Sequence, residues 1–145
     1  MLKRADLHIH TNLSDGTFSP EKVVSYASEI GLDCIAVCDH DVVDGVEAAI
    51  EAGKKYRVEV IPGVELTAEK NGHEVHILGL YVDWQDVTFK EKLTYLCQQR
   101  RKRIYEMVEK LKGVGINVNA EDVFKIGGEG SVGRLHLAAD RKSVV

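Results

Sequence analysis

Two histidines separated by a single residue, His8 and His10, are followed by Asp15 and Gly16 in the stretch Asp6-Leu7-His8-Ile9-His10-Thr11-Asn12-Leu13-Ser14-Asp15-Gly16. On a short strand that runs into a loop, both imidazoles project from one face, because side chains alternate with period two. They would converge on one point, where a cation could gain an oxygen ligand from Asp15 on a loop that Gly16 lets turn sharply. A His-x-His pair alone is equally consistent with two inward histidines satisfied by hydrogen bonds. The rest of the chain supplies more groups of the same kind: His40 follows the apolar run 34–38, Glu65 lies near the end of 58–66, and His76 lies within 74–82. Mixed imidazole and carboxylate ligands suit Zn²⁺, Mn²⁺ or Fe²⁺ better than Ca²⁺ or Mg²⁺ alone, and more than four ligands imply more than one ion, with Glu65 a natural bridge.

The spacing predicts the elements that must position these groups. Ser19-Pro20-Glu21-Lys22 reads as an N-cap with proline at the first helical position, and Val23, Val24, Ala27 and Ile30 give an apolar face that Gly31 ends. The run Cys34-Ile35-Ala36-Val37-Cys38 does not alternate, as expected of a parallel strand buried on both faces, and it delivers Asp39-His40-Asp41 at its C-terminal end. A helix over 43–56, a strand over 58–66 and a strand over 74–82 follow, with Asn71-Gly72 as a turn signal that makes the last two a hairpin. Five of the six candidate ligands thus fall within or at the ends of predicted strands, where α/β architectures build sites. Asp39 and Asp41, flanking His40, are candidates for orienting it.

A long charged helix is expected over 88–111, with Gln98-Gln99-Arg100-Arg101-Lys102-Arg103 as a basic patch that is either a solvated face or a contact for a phosphate-bearing substrate. Gly113-Val114-Gly115 ends it, 116–118 is read as extended, and Asn119 starts another helix. The glycine-rich run 127–131 lacks the context of a dinucleotide or Walker loop. His73, beside the turn, is read as solvated and Trp84 as packing.

At 145 residues the chain has the size of one domain with a respectable core. Its 44% hydrophobic and 29% charged residues are ordinary for a globular protein, and a net charge of −4 provides no footprint for nucleic acid. Cys34, Cys38 and Cys97 follow no metal or redox spacing and read as buried thiols in a reducing cytoplasm. The positive start at 1–6 has no apolar run behind it, so neither secretion nor a membrane partner is expected.

Taken together, His8-Ile9-His10 with Ser14-Asp15-Gly16, then Cys38-Asp39-His40, Gly63-Val64-Glu65 and His76 resemble the PHP (polymerase and histidinol phosphatase) family, over roughly residues 4–138. The pattern is most similar to stand-alone members that act on nucleoside 3′,5′-bisphosphates and on short RNA or DNA from the 5′ end. Gly133-Arg134-Leu135-His136 is similar to their Gly-Arg-Pro-His segment, with Leu135 in place of proline. The resemblance implies an α/β fold, a distorted (β/α)₇ barrel, incomplete in this chain, with residues 88–126 as a helical segment or inserted subdomain. It also implies two or three divalent metal ions (Mn, Zn or Fe) on His8, His10, Asp15, His40, Glu65 and His76. Glu65, His40 and Asp15 are then the catalytic residues, and Arg134 and His136 the substrate-binding ones. The reaction implied is hydrolysis of a phosphate ester by metal-activated water, on a phosphorylated nucleotide or short oligonucleotide. Family members carry further ligands in their C-terminal half, and this chain ends at Val145 before them. A piece of a longer protein, a short variant, or a barrel completed by self-association through an open sheet edge are the resulting expectations. A metal- or phosphate-binding regulatory module is the alternative to an enzyme, and a histidinol-phosphate-type phosphatase a further one.

Overall fold

A computed structural model describes residues 3–71, 73–128 and 130–142. Met1 and Leu2 of the positive start, Gly72 of the turn, Glu129 of the glycine-rich run and Val145 lie outside the described residues. Four strands, β1 (Ala5–Ile9), β2 (Cys34–Val37), β3 (Glu59–Lys70) and β4 (His73–Leu80), form one sheet in chain order. β1, β2 and β3 are parallel, joined by crossover helices α1 (Pro20–Glu29) and α2 (Val46–Tyr56), and β4 returns antiparallel on β3. This is the open α/β sheet expected of an incomplete barrel.

The Ser19 side chain accepts from the Lys22 amide at 3.3 Å to start α1, and Gly31 leaves it in the left-handed region at φ 74°. Val23, Val24 and Ala27 of α1 pack with Ala49 and Ala52 of α2 against Ile35 and Val37 of β2. Burying these side chains stabilises each by about 1.5–3 kcal/mol for the larger aliphatics, which fixes the two helices on one side of the sheet.

Several boundaries differ from the sequence expectation. α2 starts at Val46 rather than at 43, with Gly45 at its N-cap, because Asp41 turns through the left-handed region (φ 55°) and 42–45 is spent leaving the strand end. β3 continues past Leu66 to Lys70, since β4 pairs with it along its whole length, from Gly63 opposite Leu80 to Lys70 opposite His73. The apolar signal ends early because Glu65, Thr67 and Glu69 alternate on one polar face. Thr67 lies opposite His76 and Glu69 opposite Glu74, so these side chains share that face.

α3 (Val87–Gly113) starts where Asp86 accepts from the Phe89 amide at 2.6 Å. α4 (Ala120–Gly127) starts at Asn119, which accepts from the Glu121 amide at 3.0 Å. α5 (Arg134–Lys142) has no counterpart among the expected elements, because its apolar spacing is too sparse to announce a helix. Residues 116–118 carry no strand. Ile104 and Val108 of α3, Ala120, Val123 and Phe124 of α4, and Val132 form a second core apart from the first. Among the described residues no helix is long and apolar enough to cross a membrane.

Candidate metal centre

The loop after β1 is built by its own backbone and by a carboxylate from the next strand. The Thr11 carbonyl accepts from the amides of Ser14 (3.1 Å) and Gly16 (2.9 Å). A Cβ on Gly16 would stand 2.4 Å from the His10 carbonyl oxygen, so only glycine permits the turn that brings Asp15 back beside His10. Asp39, buried at the end of β2, accepts from the Thr11 amide and hydroxyl, each at 2.7 Å, and from the Ser14 hydroxyl at 2.5 Å. The loop and strand end are thereby one unit. The Glu65 amide donates to the Asp39 carbonyl (3.1 Å) and the Asp41 amide to the Glu65 carbonyl (3.0 Å), which sets His40 beside Glu65.

Around this frame all six expected ligands meet. Nε2 of His8 and Nε2 of His10 are 2.9 Å apart, and each lies 2.9 Å from Glu65 Oε2. His10 Nδ1 is 3.1 Å from Asp15 Oδ1, and His40 Nε2 is 3.5 Å from Asp15 Oδ2. Glu65 Oε2 is 3.5 Å from His40 Nδ1, while its other oxygen lies 2.5 Å from His76 Nδ1. Three overlapping groups result: His8, His10 and Glu65; His10, Asp15 and His40; His40, Glu65 and His76. The Glu65 side chain is 4% exposed, so its carboxylate is lodged among imidazoles rather than in water.

Charge and burial compete here. Burial lowers the proton affinity of His10, but its hydrogen bond to Asp15 and the nearby carboxylates outweigh that and leave its pKa raised. Hydrogen bonds to Glu74 and Glu65, opposed by burial, raise His76. His10 and His40 hold the Asp15 carboxyl well below the usual carboxylate range. Burial pushes Glu65 upward, yet its hydrogen bonds to His8 and His76 leave it lowered. His40 Nδ1 is buried and has no hydrogen-bond partner among the described residues. Such an orphaned lone-pair nitrogen, next to two imidazole nitrogens and a carboxylate oxygen in mutual contact, fits a donor set for divalent cations.

The two expected substrate residues stand at the rim. Arg134 is exposed, and its guanidinium is 2.5 Å from Glu74 Oε1. His136 is buried: its Nδ1 accepts from the Gly133 amide at 3.0 Å, and burial lowers its pKa. With Asn12, Asp15, Ile126 and Leu135 it lines a cavity of about 380 Å³ that opens beside Asp15.

Of the basic patch of α3, Gln98, Gln99, Arg101 and Lys102 are exposed, as a solvated face expects, whereas Arg100 and Arg103 are half-buried and paired. Arg100 pairs with the Asp41 carboxylate and donates to the Thr67 hydroxyl, Arg103 donates to Glu74 Oε2 at 2.6 Å, and Arg101 lies 3.9 Å from the Phe124 ring centroid. Glu74 also stands 2.9 Å from His76 Nε2, and the Arg and His contacts hold its carboxyl down at about 2. Arg100 and Arg103 stand out in the sequence only as members of the basic patch, and Glu74 goes unmarked there, although it sits two residues from His76 on the same strand face. His73 is exposed at the start of β4, and Trp84 packs with Val64 and Leu93. The cysteines are free; burial pushes the Cys38 and Cys97 thiols up to about 11.

Residues 6–112 match the family model of the PHP domain. The chain is 39% identical over 142 residues to a 5′-3′ exoribonuclease of Haemophilus influenzae, covering 95% of this chain and 50% of that protein. It is 31% identical over 111 residues to a 3′,5′-nucleoside bisphosphate phosphatase of Chromobacterium violaceum, covering 77% of this chain and 39% of that one. A solved structure from Bifidobacterium adolescentis, described as that of a metal-dependent phosphoesterase, superposes with a TM-score of 0.87 at 29% identity over 99% of this chain and 51% of the other. The chain thus spans about half the length of the curated relatives it matches, or less.

Proposed function

The chain belongs to the PHP domain family, and we propose that His8, His10, Asp15, His40, Glu65 and His76 hold two or three divalent cations (Mn, Zn or Fe) for hydrolysing phosphate esters of nucleotides. The substrate class proposed is a nucleoside 3′,5′-bisphosphate or the 5′ end of a short oligonucleotide, the chemistry that the matched exoribonuclease and bisphosphate phosphatase carry in their names. In this reading residues 1–145 are the N-terminal part of a PHP domain, and 88–126 is an accessory helical segment.

The observation that carries the reading is Glu65, one buried carboxylate with an oxygen toward His8, His10 and His40 and the other toward His76. Asp15 does the same on a smaller scale, one oxygen toward His10 and the other toward His40. Divalent cations bound there would supply Lewis acidity toward phosphoryl oxygens and acidify an attacking water, so no side-chain nucleophile is required. Glu65, His40 and Asp15 are the catalytic residues of this reading, Arg134 offers a guanidinium to a substrate phosphate, and His136 lines the adjoining cavity.

Protein loaded with Mn²⁺ is expected to release phosphate from a nucleoside 3′,5′-bisphosphate, and His8→Ala to abolish the release. Release that persists in His8→Ala with metal stripped away contradicts the reading, whereas full metal occupancy without turnover of any phosphate ester favours the regulatory module.

Proton competition adds a second expectation. His10 and His76 are raised above 6.5, so their contribution to metal-free stability is complete below that pH and lost as pH rises through their folded values. Asp15 and Glu65 are lowered, so theirs is present above the ordinary carboxylate range and lost only in acid. These four groups together therefore contribute most to metal-free stability in the mildly acidic window between them, where His136, lowered by burial, works in the opposite direction. Because the imidazoles must shed protons to become ligands, the Tm gained on adding Mn²⁺ is expected to be larger at about pH 8 than at about pH 6. A gain independent of pH, measured against chelator-treated samples, contradicts it.

A further inference from the structure

We propose that α3 clamps the metal centre from outside, with Arg103 as a positioning residue that acts through Glu74 on His76, and Arg100 as one that acts through Asp41 on the backbone carrying His40. This rests on the reading that His40 and His76 are ligands.

Arg100 and Arg103 are three residues apart on α3, so their side chains leave the helix on neighbouring lines of one face. That face lies over the polar face of the β3–β4 hairpin, where Thr67 stands opposite His76 and Glu74 follows two residues away. Arg100 reaches Thr67 and Asp41; Arg103 reaches Glu74. Each arginine therefore grips an acid that adjoins a histidine of the centre.

At Asp41 the grip is on the backbone as much as the side chain. This residue turns at φ 55°, a conformation that costs an L-residue energy and persists only when its surroundings over-determine it. Its amide donates to the Glu65 carbonyl, its carboxylate takes the Thr67 amide and Arg100, and its carbonyl accepts from Cys97 Sγ at 3.3 Å. Two of those partners come from α3. His40, the preceding residue, is thereby held where its ring faces Asp15 and Glu65.

At Glu74 the grip is on a ring. Glu74 Oε1 is 2.9 Å from His76 Nε2, which fixes the ring so that Nδ1 faces Glu65. A carboxylate on the outer nitrogen of a ligand histidine sets its tautomer and orientation and makes it a better donor. Glu74 is itself fixed from two helices, by Arg103 of α3 and Arg134 of α5. The Arg103 side chain is 39% exposed, and ion pairs that open to water contribute little to folding. Arg103 should therefore matter to metal affinity far more than to stability.

The test is equilibrium dialysis of the full chain with Mn²⁺, alongside thermal melts in chelator, for the wild type and the variants Glu74→Gln, Arg103→Gln, Arg103→Lys and His76→Ala. Glu74→Gln and Arg103→Gln are expected to weaken Mn²⁺ binding by about 10–100-fold with melts close to the wild type, and Arg103→Lys to recover part of the loss. Combining Glu74→Gln with Arg103→Gln should cost no more than Glu74→Gln alone, because one acts through the other. Unchanged affinity in both single variants, with affinity lost in His76→Ala, overturns the clamp and leaves the ligand reading standing. Wild-type affinity in His76→Ala overturns the ligand reading and the clamp with it.

Discussion

Glu65→Gln is expected to remove Mn²⁺ binding and phosphate-ester hydrolysis together while leaving the protein folded. His10, His40 and Glu65 each belong to two of the three overlapping donor groups, and among the described residues Glu65 is the member common to the group of His8 and the group of His76. Glutamine keeps the volume, and the backbone bonds of Glu65 to Asp39 and Asp41 do not involve the side chain. What changes is the charge, and one of the two oxygens becomes an NH₂ pointed at imidazole nitrogens that need an acceptor or a cation. A metal supplies several kcal/mol of transition-state charge stabilisation, so losing it should lower the rate by on the order of 10³-fold or more. Metal content by mass spectrometry, phosphate release and circular dichroism on the same sample check all three parts. A variant that stays folded, keeps its metal and turns over at a tenth of the wild-type rate or better would contradict the shared role.

Arg100→Met is expected to destabilise the protein strongly. The carboxylate of Asp41 is almost fully buried, and the Arg100 side chain that pairs with it is only 11% exposed. Removing one partner leaves a buried charge uncompensated, at a cost of about 3–5 kcal/mol, a large part of the roughly 5–15 kcal/mol that holds a domain together. Replacing Asp41 by Asn in the same protein removes the orphaned charge and should restore a large share of the loss. Urea unfolding of the two variants in chelator, which separates this effect from metal binding, gives the comparison. A loss below about 1 kcal/mol in Arg100→Met would place the pair in the weak class of exposed ion pairs.

The six candidate ligands were legible in the sequence because metal chemistry restricts residue types severely, and strand alternation with turn signals says where such residues gather. His8 and His10 share a face by period two, and Asn71 reverses the chain so that His76 returns beside Glu65. The helix starts at Ser19, Asp86 and Asn119 follow from cap chemistry, although only the first and last were recognised. The layer around the ligands was less legible. Nothing local marks Arg100 and Arg103 as inward-facing, since a run of basic residues on a helix is ordinarily solvated. Their role depends on the angle at which α3 crosses the hairpin, a tertiary fact with no local signature. Glu74 was within reach of the alternation argument, but its partner residues are 29 and 60 positions away. The late start of α2 follows from the left-handed turn at Asp41, which the protein holds with the same network that grips His40.

Under the proposed function, one rim of the fold gathers these six side chains around shared cations. Anomalous diffraction at the manganese edge, from crystals of the full chain grown with Mn²⁺, tests it most directly. The account predicts peaks within coordinating reach of Glu65, with His8 and His10 on one side and His40 and His76 on the other. Peaks elsewhere on the surface, or a well-ordered Glu65 with no peak beside it at saturating Mn²⁺, would contradict it.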